Sequence, residues 1–203
     1  GKRTKVHAGV STFVPKPHTP FQWVPCDTVE QIQLKLNLLK RELRGPGIKL
    51  TWNNPKETML EAWLSRGDRR LSDVVFDAWK RGAKFDAWQD QLQYQAWMKA
   101  FNEADIDPAF YTHRHRTLEE AFPWDHISTT VRKKYLADDY AWSTRAETRV
   151  DCRDQCFACG ILPTFADLRR GNPGNIWQCP DVKSPRPTNK NELISLESVI
   201  DGG

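Results

Sequence analysis

Along "KVHAGVSTFV", Val6, Ala8, Val10, Thr12 and Val14 alternate with smaller or more polar neighbours. A period of two with β-branched enrichment predicts a strand. "PKPHTP" follows with three prolines. These cannot continue a hydrogen-bonded ladder, so the chain leaves the strand in a stiff, extended loop.

The period then lengthens. In "TVEQIQLKLNLLKREL", Val29, Ile32, Leu36, Leu39 and Leu43 fall on one helical face, and Thr28 and Gln31 have the spacing of a capping box. "RGPG" closes this helix and "IKLTW" predicts a second strand. Strand, loop, helix, strand is the order of a parallel α/β sheet.

From there the pattern is helical: Met59, Leu60, Trp63 and Leu64, then Leu71, Val74, Val75, Ala78 and Trp79, then Trp88, Leu92, Ala96 and Phe101. Gly67 and Gly82 stand where helices can stop, and Asp68 or Ser72 where one can be capped. A further helix is predicted across "TTVRKKYLADDYAW", after which periodicity fades. Residues 181–203 are expected to form a loose tail, with one short helix in "LISLESVI".

Composition narrows the picture in three ways. A chain of 203 residues, 39% of them apolar, can bury the core of one domain with an appendage. Its 30 basic and 26 acidic residues are interspersed, without the one-sided surplus of a dedicated nucleic-acid binder. No apolar run suits a membrane span and none reads as a secretory signal, so a soluble cytoplasmic protein without a membrane partner is expected. The chain opens on Gly and reads from its first residues as the interior of a longer polypeptide: an expressed segment, a processed chain or an incomplete gene.

Four of the five cysteines lie in the last quarter, in a chain without a secretory signal, which favours metal or thiol chemistry over a disulfide framework. In "VDCRDQCFACGIL", Cys152, Cys156 and Cys159 have Cys-x3-Cys-x2-Cys spacing, and Cys179 follows after "GILPTFADLRRGNPGNIWQ". Four thiolates are soft ligands for zinc or an iron-sulfur cluster, and Arg153, Arg169 and Arg170 are placed to offset their charge. The plainer alternative is four reduced cysteines in a flexible tail.

Other polar stretches have two readings each. "LSRGDRR" sets Arg66, Asp68, Arg69 and Arg70 around a glycine. Arginine forks there suit phosphates or carboxylates, or the turn is only an interhelical connection capped by Asp68. "YTHRHRTLEEAFPWDHI" brings His113, His115 and His126 near arginines, which disfavours a cation site and favours a solvated loop. The nine tryptophans read as helix packing rather than as a stacking platform for bases.

"STFVPKPHTPFQW", "LSRGDRRLSDVVFDAWKRGAKFDAW", "FPWDHI" and "DCRDQCFACG" together, in this order, resemble the end of the last barrel strand and the downstream signatures of cobalamin-binding radical S-adenosylmethionine (SAM) proteins. The resemblance covers residues 10 to 160. It implies an α/β chain: the terminal strand-helix unit of a radical SAM, partial TIM-type barrel, then a mainly helical extension and a Cys-rich metal-binding tail. The implied divisions are 1–53 for the barrel end, 54–146 for the extension, 147–180 for the metal site and 181–203 for the tail.

The resemblance further implies a radical SAM enzyme that uses a [4Fe-4S] cluster, SAM and cobalamin, with the remainder of its polypeptide as this segment's partner and RNA or protein as candidate substrates. Lys16, His18 and Gln22, near the carboxyl end of the strand, are the expected cofactor-binding residues, and Cys152, Cys156, Cys159 and Cys179 the metal ligands. Cys152, Cys156 and Cys159 do not suit the SAM-cleaving motif itself. Its usual aromatic slot holds Ala158, and too few residues follow Cys159 to build a barrel. This chain alone is therefore expected to be inactive. The competing expectation is a zinc-stapled helical module that binds RNA or a phosphorylated partner.

Overall fold

Val6–Val10 forms strand β1 and Ile48–Trp52 forms β2. They pair in parallel, Val6 against Ile48 through Val10 against Trp52. Helix α1, Val29–Glu42, lies between them in sequence. Two parallel strands cannot be joined by a tight turn, and the intervening helix supplies the crossover. The computed structural model describes residues 4–88, 90–172, 174 and 179–180. The expected tail, with its short helix, lies outside the described residues.

Two compact units are present: Gly1–Pro17 with Phe21–Trp124, and His18–Pro20 with Asp125–Gly203. In the first, α1 begins with the complete capping box, Thr28 Oγ1 accepting from Gln31 N–H at 3.3 Å and Gln31 Oε1 accepting from Thr28 N–H at 2.8 Å. α2 spans Pro55–Arg66, α3 Leu71–Lys80, α4 Tyr94–Glu103 and the single turn α5 Ala109–Thr112. Pro55 enters α2 at its first position, where no N–H is needed, and Asn54 caps it by accepting from Lys56 N–H at 3.0 Å.

One core joins these helices. Ile32 and Leu36 of α1, Met59 and Trp63 of α2, Val74 and Ala78 of α3, and Trp97 and Phe101 of α4 are all buried in it. Trp63 and Phe101 meet edge to face, their centroids 4.9 Å apart. The result is a mixed α/β unit, mostly helical, with one two-stranded parallel sheet among the described residues.

Several expectations shift in detail. β1 ends at Val10 rather than Val14, and Val14 instead packs with Cys26 and Ala62 in a small second cluster. Trp88 precedes α4 rather than lying on a helix. Asp68 does not cap α3; it folds back in an Asx turn, accepting from Arg70 N–H at 2.9 Å. Trp79 and Trp88 are about half exposed, so periodicity overstated their part in the core.

The second unit is built on α6, Lys133–Thr144, with α7, Ile161–Thr164, and α8, Ala166–Gly171. α6 starts later than the apolar pattern suggested, and buries Leu136 and Tyr140. Among the described residues no helix is long and apolar enough to cross a membrane.

Candidate metal centre

The segment that carries the first three cysteines is a series of tight turns. Asp151 accepts from Arg153 N–H at 2.8 Å, and its carboxylate also holds the Arg153 guanidinium, with Nη2 at 2.8 Å. That side-chain bond first, then the backbone N–H, pulls the Asp151 carboxyl down to about 2. Arg153, expected to offset thiolate charge, is thus engaged by Asp151. Arg170 is likewise engaged, by Asp167.

From Cys156 to Gly160 the backbone turns back on itself. Ala158 has φ 54 and Gly160 φ 108, both left-handed. This aims the Ala158 N–H at Cys156 Sγ, 3.4 Å away. Cys159 is then anchored through its carbonyl, which accepts from Arg132 N–H at 2.8 Å, one residue before α6. Gly160 cannot be anything larger here, because a Cβ would lie 2.7 Å from Arg132 Cγ and 2.8 Å from the Thr130 carbonyl oxygen. Its own carbonyl accepts from Thr164 Oγ1 at 2.9 Å and so starts α7.

Arg149 ties α6 to this loop. Its guanidinium pairs with Asp139 at 2.8 Å and lies over the rings of Tyr135, Trp142 and Phe157, with centroids at 5.0, 5.6 and 4.8 Å. Burial, then Asp139, pushes the Tyr135 phenol up, with Cys159 and Cys152 adding smaller effects in the same direction. The Cys179 thiol is pushed up first by burial, then by a hydrogen bond with Cys156, then by the charges of Cys156, Cys159 and Cys152. All four thiols are free. They do not yet form a closed ligand set: among the described residues no three His, Cys, Asp or Glu side chains stand arranged to hold a metal ion. Sequence spacing missed Arg149 as the cation that joins α6 to the Phe157 ring of the cysteine loop.

The other expected site residues lie apart from the cysteines in sequence and differ in setting. Lys16 is ion-paired with Glu61 in the first unit. Gln22 is buried, with Oε1 accepting from Trp124 Nε1 at 2.9 Å. His18 belongs to the second unit and has a left-handed backbone, φ 56.

The arginine turn is largely internal. Arg66 is fully buried and donates to three carbonyls, from Nη1 to Pro15 at 2.9 Å, from Nη2 to Val24 at 3.1 Å and from Nε to Tyr111 at 3.2 Å. Arg70 is held by Asp68, Nη2 to Oδ2 at 2.7 Å, which leaves Arg69 outward. A second buried guanidinium, Arg116, donates to the Tyr111 and Arg66 carbonyls at 3.1 and 3.3 Å. Burial, then Arg66, pushes it down to about 10, so it remains charged at neutral pH. His113 contacts the Cys26 carbonyl at 3.1 Å rather than a neighbouring histidine.

Comparison of the chain with protein-family models, curated proteins and solved structures gives no match.

Proposed function

We propose that this chain is the C-terminal portion of a radical SAM enzyme of the cobalamin-binding group. In this reading β1–α1–β2 closes the enzyme's α/β barrel, the loop after β1 borders the cavity, and the four cysteines form an accessory metal centre. The observation that carries it, beside the ordered motifs, is the state of the parallel pair. Parallel sheets are ordinarily extended and covered on both faces, and two strands alone are marginal. Here Val6, Ile48 and Trp52 are 57%, 41% and 42% exposed, apolar positions that further strands and helices would cover.

The catalytic [4Fe-4S] cluster does not fit the cysteines of this chain, whose loop leads into α7 and α8 rather than into a barrel. SAM cleavage therefore belongs to the preceding polypeptide. Gln22 is committed to Trp124, so of the expected cofactor contacts in the first unit only Lys16 could be redirected from its surface pairing with Glu61. The arginine turn gives the competing binding-module reading little to use, since Arg66 is internal and Arg70 is held by Asp68.

Reading the coding sequence upstream of Gly1 is the direct test. A second Cys-x3-Cys-x2-Cys motif followed by strand-helix repeats, within about 250 residues, is expected, and its absence overturns the parentage. Anaerobic assay for 5′-deoxyadenosine should then detect product from the full polypeptide and none from the 203-residue chain.

A further inference from the structure

Helix α3 carries two apolar stripes, and the core uses only one of them. Leu71, Val74 and Ala78 are buried among the other helices. Ser72, Val75, Phe76 and Trp79, at i, i+3, i+4 and i+7, form a second stripe, whose three apolar members are exposed. This stripe is one wall of a cavity of about 480 Å³ that Ala83, Lys84 and Trp97 complete. We propose that the cavity binds a small planar aromatic anion, whose ring packs on Phe76 and Trp79 and whose charge meets the Lys84 ammonium. The site lies wholly within the first unit and does not depend on the parentage proposed above.

The cavity exists because of the way α3 stops. Gly82, with φ 102, lets the chain turn back, its N–H donating to the Trp79 carbonyl at 3.0 Å and the Ala83 N–H to the Ala78 carbonyl at 3.1 Å. This paired closure delivers Ala83 and Lys84 to the cavity that Trp79 lines. From α4 comes Trp97, which is buried and whose Nε1 has no hydrogen-bond partner among the described residues. A buried donor without an acceptor is uncommon, so this wall retains one unmet hydrogen bond. A space of this size, mostly aromatic with a few polar groups, has the make-up of a small-ligand site.

The charges decide the sign of the ligand. No carboxylate lines the cavity. Asp77, on the same helix, is neutralised by Arg81, which also holds Glu103. Lys84 has no ion pair among the described residues, and Lys80, likewise without one, lies 4.2 Å from the Phe76 ring centroid. Phe76 and Trp79 are nearly parallel, with 17° between their planes, and present a flat aromatic surface to a further ring. A wholly apolar occupant would desolvate Lys84 without pairing it, and a cation would meet two ammonium groups. An aromatic ring bearing a carboxylate satisfies both walls.

The test titrates the whole 203-residue chain with naphthoate and with its neutral amide, naphthamide, followed through the indole N–H resonances. Naphthoate should bind with a Kd of about 1 mM or tighter and shift the Trp79 signal. The amide should bind at least about 3-fold more weakly. Trp79→Gln should weaken both probes by about 10-fold. Lys84→Gln should weaken naphthoate alone, erasing its advantage, while Trp88→Gln, outside the lining, should change neither. Thermal unfolding of each variant accompanies the titrations, and the Lys84→Gln comparison stands even if Trp79→Gln loses stability. Equal affinity for the two probes overturns the choice of an anion. Absence of saturable binding, or binding indifferent to Trp79→Gln in a folded protein, overturns the site. A dimer of the free chain that Trp79→Gln dissociates assigns this face to a second copy and overturns it as well.

Discussion

Arg66, at the last position of α2, donates through Nη1 to the Pro15 carbonyl at 2.9 Å, so a helix end holds the loop that leaves β1. The same guanidinium reaches Val24 and Tyr111, which makes it an internal strut for three segments distant in sequence. It has a second buried guanidinium, Arg116, nearby, and burial holds Arg66 below its ordinary value.

Removing Arg66 has two opposed consequences. It relieves repulsion on Arg116, but it leaves the Pro15 and Val24 carbonyls without their donor, while Tyr111 retains Arg116. Each buried acceptor left unpaired costs about 1–3 kcal/mol, so the loss dominates. Arg66→Ala should destabilise the first unit by about 2–5 kcal/mol, and Arg66→Lys should rescue little, because an ammonium lacks the planar fork. Denaturant titration of the three proteins checks this; a lysine variant matching the parent would show that charge alone matters.

Gly160 and Gly82 separate backbone strain from crowding. Both have positive φ, 108 and 102, but a Cβ at Gly160 collides with Thr130 and Arg132, whereas at Gly82 nothing lies within 4 Å. Gly82→Ala should cost about 1 kcal/mol, from conformation alone, and Gly160→Ala about 2–4 kcal/mol. Comparable losses of stability at the two sites would mean that the loop before α7 is not packed as described.

Asp68 gives a pH dependence with a definite sign. The Arg70 side chain first, then its N–H and the Tyr111 hydroxyl, hold the Asp68 carboxyl below the usual carboxylate range. A lowered folded value means that this stability is present above the unfolded value, near about 4, and is lost as pH falls through the folded one. Asp68→Asn should therefore be less stable than the parent at pH 7, with the difference shrinking as pH falls below about 4. A constant difference across that range would remove ionisation as the cause.

Two tryptophans with the same helical spacing should differ in consequence. Trp63 is 3% exposed against Phe101, while Trp79 is 52% exposed and stacks on Phe76 at 5.8 Å beside a cavity of about 480 Å³. Trp63→Ala should cost about 3–5 kcal/mol, whereas Trp79→Gln should change stability by less than about 1 kcal/mol. Thermal unfolding of both variants distinguishes the positions.

The sequence by itself determined the features that depend on near neighbours. Thr28 and Gln31 cap α1 because both partners lie within one turn, and Ile32 and Leu36 are buried because their spacing already puts them on one face. The strand-helix-strand order was legible for the same reason. Only the tertiary structure decided which helical face meets the core. Trp63 and Trp79 carry the same periodic signal, and burial depends on packing between α2, α3 and α4. It alone made Arg66 an internal strut, since its acceptors, at Pro15, Val24 and Tyr111, come from distant segments. It also placed Arg149 of the second unit over the Phe157 ring in the cysteine loop. A residue's chemistry is written locally, but its desolvation and its partners depend on contacts that only the folded chain brings together.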